Sequence, residues 1–151
     1  MSLRYDIIEG LHKSLKKIRA GAGYEITVSK VVDQTQDLST MRSNDTPLII
    51  VNDTGEEKVV ARSSNGYLYT NKFIVEVVSW EPSKPKKELF INKGISSFKK
   101  WAHTVTPSDV QDNVLAVIYK DITGMGDWPG SNMSGAKFEI ELIYYSDGVT
   151  F

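Results

Sequence analysis

The apolar residues of this chain recur at two spacings, and each spacing predicts a kind of secondary structure. Near the start they recur every three or four residues: Leu3, Ile7, Leu11, Leu15 and Ile18. That spacing places the side chains on one side of a helix over about residues 3–19. Gly21 and Gly23 follow, and glycine commonly ends a helix. We therefore predict that an amphipathic helix begins the fold.

The longest strand pattern spans residues 67–80, directly after an Asn-Gly turn signal. Its odd positions are the more apolar: Tyr67, Tyr69, Phe73, Val75 and Val77. We expect this side to face the helices at the centre of the core, with its aromatic rings used for packing. The two prolines in residues 81–85 cannot continue a strand, because proline has no N–H group. A second helical pattern then runs over residues 87–103.

Alternating or wholly apolar segments predict shorter strands over residues 24–32, 48–51, 58–62, 114–122 and 136–144. A turn is predicted at 52–55, and loops at 33–46, 104–113 and 124–135. Strands that cluster in sequence and are joined by hairpin signals predict the α+β class. We expect one domain over residues 1–151, with a mostly antiparallel sheet of about five to six strands and two helices packed on one face.

Composition narrows the setting. A hydrophobic fraction of 40% and a charged fraction of 25% are typical of a globular domain. A net charge of -1 argues against a protein that coats nucleic acid. The absence of cysteine excludes disulfides and thiolate chemistry. Because the sequence has no signal-peptide core or run of membrane-spanning length, we expect a reducing cytoplasm, or a particle assembled there, and no membrane partner.

No motif predicts a reaction. The two histidines, His12 and His103, have no carboxylates at a metal-ligand spacing, so we predict no metal, cofactor or catalytic residue and no enzymatic activity. The glycines and acids between Asp121 and Asp127 superficially suggest a phosphate or calcium loop. That segment has neither the lysine of a P-loop nor the acidic spacing of an EF-hand.

Partner contacts are the better functional candidates. Trp128 and Met133 are large apolar residues on a predicted glycine-rich loop, where they either contact a partner or fold back onto the domain. Lys84 and Lys86 lie near the start of the second helix, either as a solvated cluster or as a contact for an anion or acidic partner.

Several stretches resemble the tail terminator (tail-completion) proteins of long-tailed bacteriophages, the group of the minor tail protein U type. The first helix leads into a Gly-Tyr-x-Ile-x-Val segment at residues 23–28, and a Pro-Leu-Ile-Ile-Val segment at 47–51 precedes a Thr-Gly-Glu-Glu turn at 54–57. The long strand ends in Val-Val-Ser-Trp-Glu-Pro at 77–82, before the second helix. A Glu-Ile-Glu-Leu-Ile-Tyr-Tyr strand at 139–145 closes the pattern. The resemblance spans nearly the whole chain.

The resemblance implies a structural protein of the virion that is assembled in the host cytoplasm. It would form a ring, usually a hexamer, on the head-proximal end of the tail tube. Its partners would be the tail tube protein and a neck or connector protein, with DNA passing through the channel without specific recognition. On length, polarity and exposure we predict interface residues in the loops and at the second helix: Leu38, Met41, Glu56, Glu57, Lys84, Lys86, Trp128 and Met133.

Two alternatives stay open at this point. The chain could be another head–tail joining protein, such as a neck or stopper component. It could also be a small-ligand or nucleotide-binding enzyme that uses the segment from Asp121 to Asp127.

Overall fold

The computed structural model describes residues 2–33, 41–128 and 133–147, which form a sheet with helices on one face. The helices are α1 (Leu3–Leu15), α2 (Lys84–Thr104) and the single turn α3 (Pro107–Val110). The strands are β1 (Lys30–Asp33), β2 (Leu48–Ser63), β3 (Gly66–Trp80), β4 (Val114–Asp127) and β5 (Met133–Ser146). No helix in these ranges is both long enough and apolar enough to cross a membrane.

The five strands lie in the order β1-β2-β3-β5-β4. Strands β2, β3, β5 and β4 pair antiparallel with their neighbours, and β1 pairs parallel with β2. The α+β class and the mostly antiparallel sheet are therefore confirmed. The parallel β1 makes the sheet mixed, because the chain returns from β1 to β2 through a connection rather than a hairpin.

The predicted turn at 52–55 is wrong, and the two short strands on either side of it are one strand, β2. The register against β3 shifts between Asp53 and Glu57, so the intervening residues form a bulge. Gly55 lies at the tip of this bulge with a φ of 75°, a conformation that glycine adopts without strain. The turn signal was real, but β3 is long enough to pair with β2 on both sides of the bulge.

The predicted loop at 124–135 is also mostly strand. Strand β4 continues to Asp127 and β5 begins at Met133, so the connection is short. Gly135 belongs to β5 because it lies against the backbone of β3, where a Cβ atom would overlap the carbonyl oxygen of Val77. Close approach of two backbones, rather than a turn, explains this glycine.

Two further boundaries differ from the prediction. Helix α1 ends at Leu15, and the segment after it contains a 3₁₀ turn at Ala20–Ala22 and joins the sheet only at Lys30. The alternation before Lys30 reflects burial of Ile26 and Val28, since the Val28 N–H donates to the Ile18 carbonyl rather than to a strand. The predicted loop at 104–113 contains α3, which packs on α1.

The main core lies between the sheet and the helices. The odd positions of β3 face it as predicted, with Phe73, Val75 and Val77 buried. Tyr67 is the exception and is 36% exposed. The rings of Phe98 in α2 and Phe138 in β5 stack with their centroids 4.3 Å apart. This contact fixes α2 over the middle of the sheet, which leaves the opposite face of the sheet, here called the outer face, uncovered by α2.

Candidate assembly surfaces

The sheet has two open edges. Strand β1 pairs with β2 only from Leu48 to Val51, so residues 52–63 of β2 form an edge, here called the β2 edge. Strand β4 forms the opposite edge, here called the β4 edge. Within the described residues no further strand pairs with either edge. Unpaired edges expose backbone N–H and C=O groups and can accept another chain.

Each edge carries an exposed apolar residue at a bulge. The register of β2 shifts between Val59 and Ala61, and the intervening Val60 is 53% exposed. The register of β4 shifts between Val114 and Ala116, and the intervening Leu115 is 58% exposed. At exposed positions on sheet edges, proteins more often have lysine or proline than valine or leucine.

The two bulges border the same row of paired residues. Val59 is paired with Tyr69, Tyr69 with Tyr144, and Tyr144 with Val114. One row of cross-strand partners therefore runs from the β2 edge to the β4 edge and passes beside both bulges. Sequence reasoning missed both residues, because the bulges interrupt the alternation that would have marked their direction.

The bulge at 53–57 of β2 is tied to α1 by an ion pair. The guanidinium of Arg4 donates to both carboxylate oxygens of Asp53 at 2.7–2.9 Å and lies 3.4 Å from Glu57. The Asn71 side chain donates to the same Asp53 carboxylate at 3.1 Å. Burial would raise the pKa of Asp53, but hydrogen bonds from the Gly55 N–H, Arg4 and Asn71 outweigh it and hold that pKa below its usual value.

The predicted contacts Glu56 and Glu57 therefore lie in the bulge, and each has a partner within the chain. Glu57 contacts Arg4, and Glu56 pairs with Lys72 at 3.3 Å. Both side chains keep some exposure to solvent. Their role in an interface stays a prediction.

Cross-strand ion pairs cover the middle of the outer face. Lys72 lies between Glu56 and Glu139, at 3.3 and 3.1 Å, and these carboxylates, Glu139 first, raise the pKa of Lys72. Two further pairs join Lys120 to Glu141 and Lys137 to Glu76, each at 3.4 Å. Oppositely charged neighbours on adjacent strands stabilise a solvated sheet face by small amounts each.

The predicted contacts Met41, Trp128 and Met133 come together at one end of the outer face. There a second apolar cluster forms from buried residues: Val32, Leu48, Ile50, Val78 and Met133. Met41 and Trp128 are half-buried against it, and the Trp128 N–H donates to the Met133 carbonyl at 2.8 Å. Met133 thus folds back onto the domain, whereas Trp128 keeps one side accessible. Leu38 lies outside the described residues, and the interface role of this group stays a prediction.

Lys84 and Lys86 lie exposed in the first turn of α2, which Ser83 caps by accepting a hydrogen bond from the Lys86 N–H. The neighbouring Lys87 reaches Asp127 at 3.4 Å. Helix α2 contains six lysines and one glutamate, so it is strongly basic in a chain whose net charge is -1.

The residues considered for chemistry remain apart. Asp121 accepts a hydrogen bond from the neighbouring Ile122 N–H, and both Asp121 and Asp127 lie in β4 rather than in a loop. Burial lowers the pKa of His12, with Asp33 and Glu9 opposing that shift. Across residues 2–33, 41–128 and 133–147, no group of three or more histidines and carboxylates is arranged to hold a metal ion.

The fold is similar to that of a chain in the virion of a native gene transfer agent (GTA) particle. The two share 11% sequence identity over 96% of each chain, with a TM-score of 0.54. This likeness concerns the fold. No family model matches the sequence, and no curated protein matches it either.

Proposed function

We propose that this protein is a structural protein of a phage-type particle, and that its copies form a ring on the head-proximal end of a tail tube. The ring ends tube polymerisation and joins the tube to a neck or connector protein. The observation that carries the proposal is the likeness of fold, over nearly the full length of both chains, to a chain from a gene transfer agent virion.

Two properties of the chain support this assignment. A ring needs two different contact surfaces on each copy, one for each neighbour, and the sheet has two open edges on opposite sides. A channel for DNA must not hold the nucleic acid, and a net charge of -1 suits that requirement. The candidate contacts with the tube or neck fall in three places. They are Glu56 and Glu57 in the bulge at residues 53–57, Lys84 and Lys86 at the start of α2, and the exposed part of Trp128.

The test combines mass measurement with a polymerisation assay. We expect light scattering to give a multiple of the 16.9 kDa chain, and electron microscopy to show closed rings. Added to purified tail tube protein during polymerisation, the rings should cap one end of each tube and shorten the length distribution. A chain that stays monomeric at high concentration and is inert towards tubes would overturn the proposal.

The same experiment addresses the neighbouring function. The likeness of fold does not distinguish a terminator from another head–tail joining protein. Rings that ignore tube ends but bind purified connector would assign the chain to the neck instead.

A further inference from the structure

We infer that neighbouring copies of this chain join edge to edge, with Val60 of one copy packed against Leu115 of the next. The inference rests on the proposed ring and specifies its contact surface. It makes the interface heterologous, because the β2 edge of each copy meets the β4 edge of its neighbour.

Strand directions are compatible with this contact. The strands β2, β3, β5 and β4 alternate in direction, so β4 runs opposite to β2. When a second sheet of the same orientation is placed beside the first, its β4 lies antiparallel to β2. The bulges prevent a continuous hydrogen-bonded ladder along the whole edge, so side chains rather than backbone groups dominate the contact.

The heights of the apolar residues also agree. Copies in a closed ring are related by rotation alone, so groups at equal height along the ring axis meet. The row from Val59 through Tyr69 and Tyr144 to Val114 places Val60 and Leu115 within about one residue of the same height when the strands run along that axis. Each would then cover the other's exposed surface.

Charges beside the two bulges are complementary. Lys58 and Arg62 flank Val60, whereas Asp109 and Asp112 precede Leu115, and none of these four has an ion pair within the described residues.

The register brings one of these charges level with another. Arg62 pairs with Tyr67, which pairs with Ser146. Asn113 accepts a hydrogen bond from the Tyr145 N–H, so Asp112 lies close to the height of Arg62. The basic end of the β2 edge, at Lys58 and Arg62, therefore faces the acidic segment that precedes Leu115 beside the apolar contact, which favours a second copy of this chain as the occupant.

The first test blocks each edge separately. Val60→Asp and Leu115→Asp each place a charge in the contact between neighbouring copies. Each should raise the dissociation constant of that contact about 30-fold or more. Each variant alone should be monomeric by light scattering. An equimolar mixture should form a dimer, because the intact β4 edge of Val60→Asp can bind the intact β2 edge of Leu115→Asp. Assembly should stop at the dimer, because its two remaining edges both carry a substitution. Two variants that stay in rings, or a mixture that stays monomeric, would overturn the inference.

A charge exchange gives a second test. Arg62→Asp and Asp112→Arg should each weaken the ring, and the double variant should restore it, because the exchanged charges again face each other across the joint. If the double variant does not regain the ring mass that each single variant loses, the assigned pairing of Arg62 with Asp112 is wrong.

Controls separate this inference from the proposed function and from misfolding. Leu89 in α2 is 54% exposed, so Leu89→Asp is a matched substitution away from both edges and should leave the ring intact. Thermal melting of all variants checks folding. If the wild type and the edge variants all form rings, the edge contact alone is rejected. Rings that fail to bind tubes reject the terminator function alone, and a monomeric wild-type chain rejects both.

Discussion

Replacing Asp53 should destabilise the chain more than any other single change among its exposed or half-buried ion pairs. This carboxylate is the point where α1, the bulge of β2 and strand β3 meet. It accepts hydrogen bonds from Arg4, from the Gly55 N–H and from Asn71. We expect Asp53→Ala to lower the free energy of unfolding by about 3 kcal/mol.

The magnitude follows from what each donor loses. Asn71 is fully buried, and its side-chain oxygen has no partner within the described residues. Removing Asp53 leaves its N–H group unpaired as well, which costs about 1–3 kcal/mol. Arg4 is 36% exposed and can be rehydrated, so its ion pair contributes only about 1 kcal/mol. For a chain of this length the total corresponds to a melting temperature lower by about 6–12 °C.

Urea unfolding of matched variants measures the effect. Glu57→Ala removes a carboxylate that contacts the same arginine at 3.4 Å only, so its expected loss is about 0.5 kcal/mol. Asp53→Asn keeps an acceptor for Asn71 without the charge and should fall between these two values. Equal losses for Asp53→Ala and Glu57→Ala would refute the reasoning.

Acid provides an independent check with a defined sign. Because the folded pKa of Asp53 lies below its value in the unfolded chain, the carboxylate contributes stability above the unfolded pKa. That contribution is lost as the pH falls through the folded pKa. The difference between the wild type and Asp53→Asn should therefore shrink in acid, and a difference that stays constant would show that the charge is not involved.

Four further variants have expected outcomes. Gly10→Ala should lower the free energy of unfolding by about 2–3 kcal/mol in urea titrations, since its Cβ would overlap the Val110 carbonyl. Gly21→Ala faces open space and should change it by under about 0.5 kcal/mol. Burial lowers the pKa of His12, so the stability from its neutral form is complete above the unfolded pKa and is lost as the pH falls through the folded one. His12→Gln should flatten that slope in denaturant titrations at several pH values. Trp128→Ala should lower the melting temperature modestly, because its ring is half-buried, and should weaken tail joining in an assembly assay at temperatures where the variant stays folded. Normal joining would remove Trp128 from the contact surface.

Much of the fold could be predicted because burial sets the period of apolar residues. Strand β3, helix α2 and strand β5 each have one buried side, and their patterns placed all three within a few residues of their observed bounds. The bulge at residues 53–57 of β2 could not be predicted in this way. An Asn-Asp-Thr-Gly stretch has the same local preferences in a turn and in a bulge, and only the length of the partner strand β3 decides between them.

The assembly surfaces were less accessible from the sequence. Arg4 and Asp53 are 49 residues apart, and no local pattern relates them. Val60 and Leu115 belong to strands rich in apolar residues, so their exposure depends on which strands lie at the edges of the sheet. Strand order is a tertiary property, and the two open edges therefore became visible only in the structure.

The distribution of charge also bears on which side of the proposed ring faces the DNA. If copies join through their edges with the strands along the ring axis, one face of each sheet lines the channel. The outer face carries three lysines and four glutamates in mutual ion pairs, so its net charge is small. Helix α2 carries six lysines and one glutamate and would bind the phosphates of passing DNA. For the proposed ring we therefore expect the helices on the outside and the ion-paired face of the sheet towards the channel.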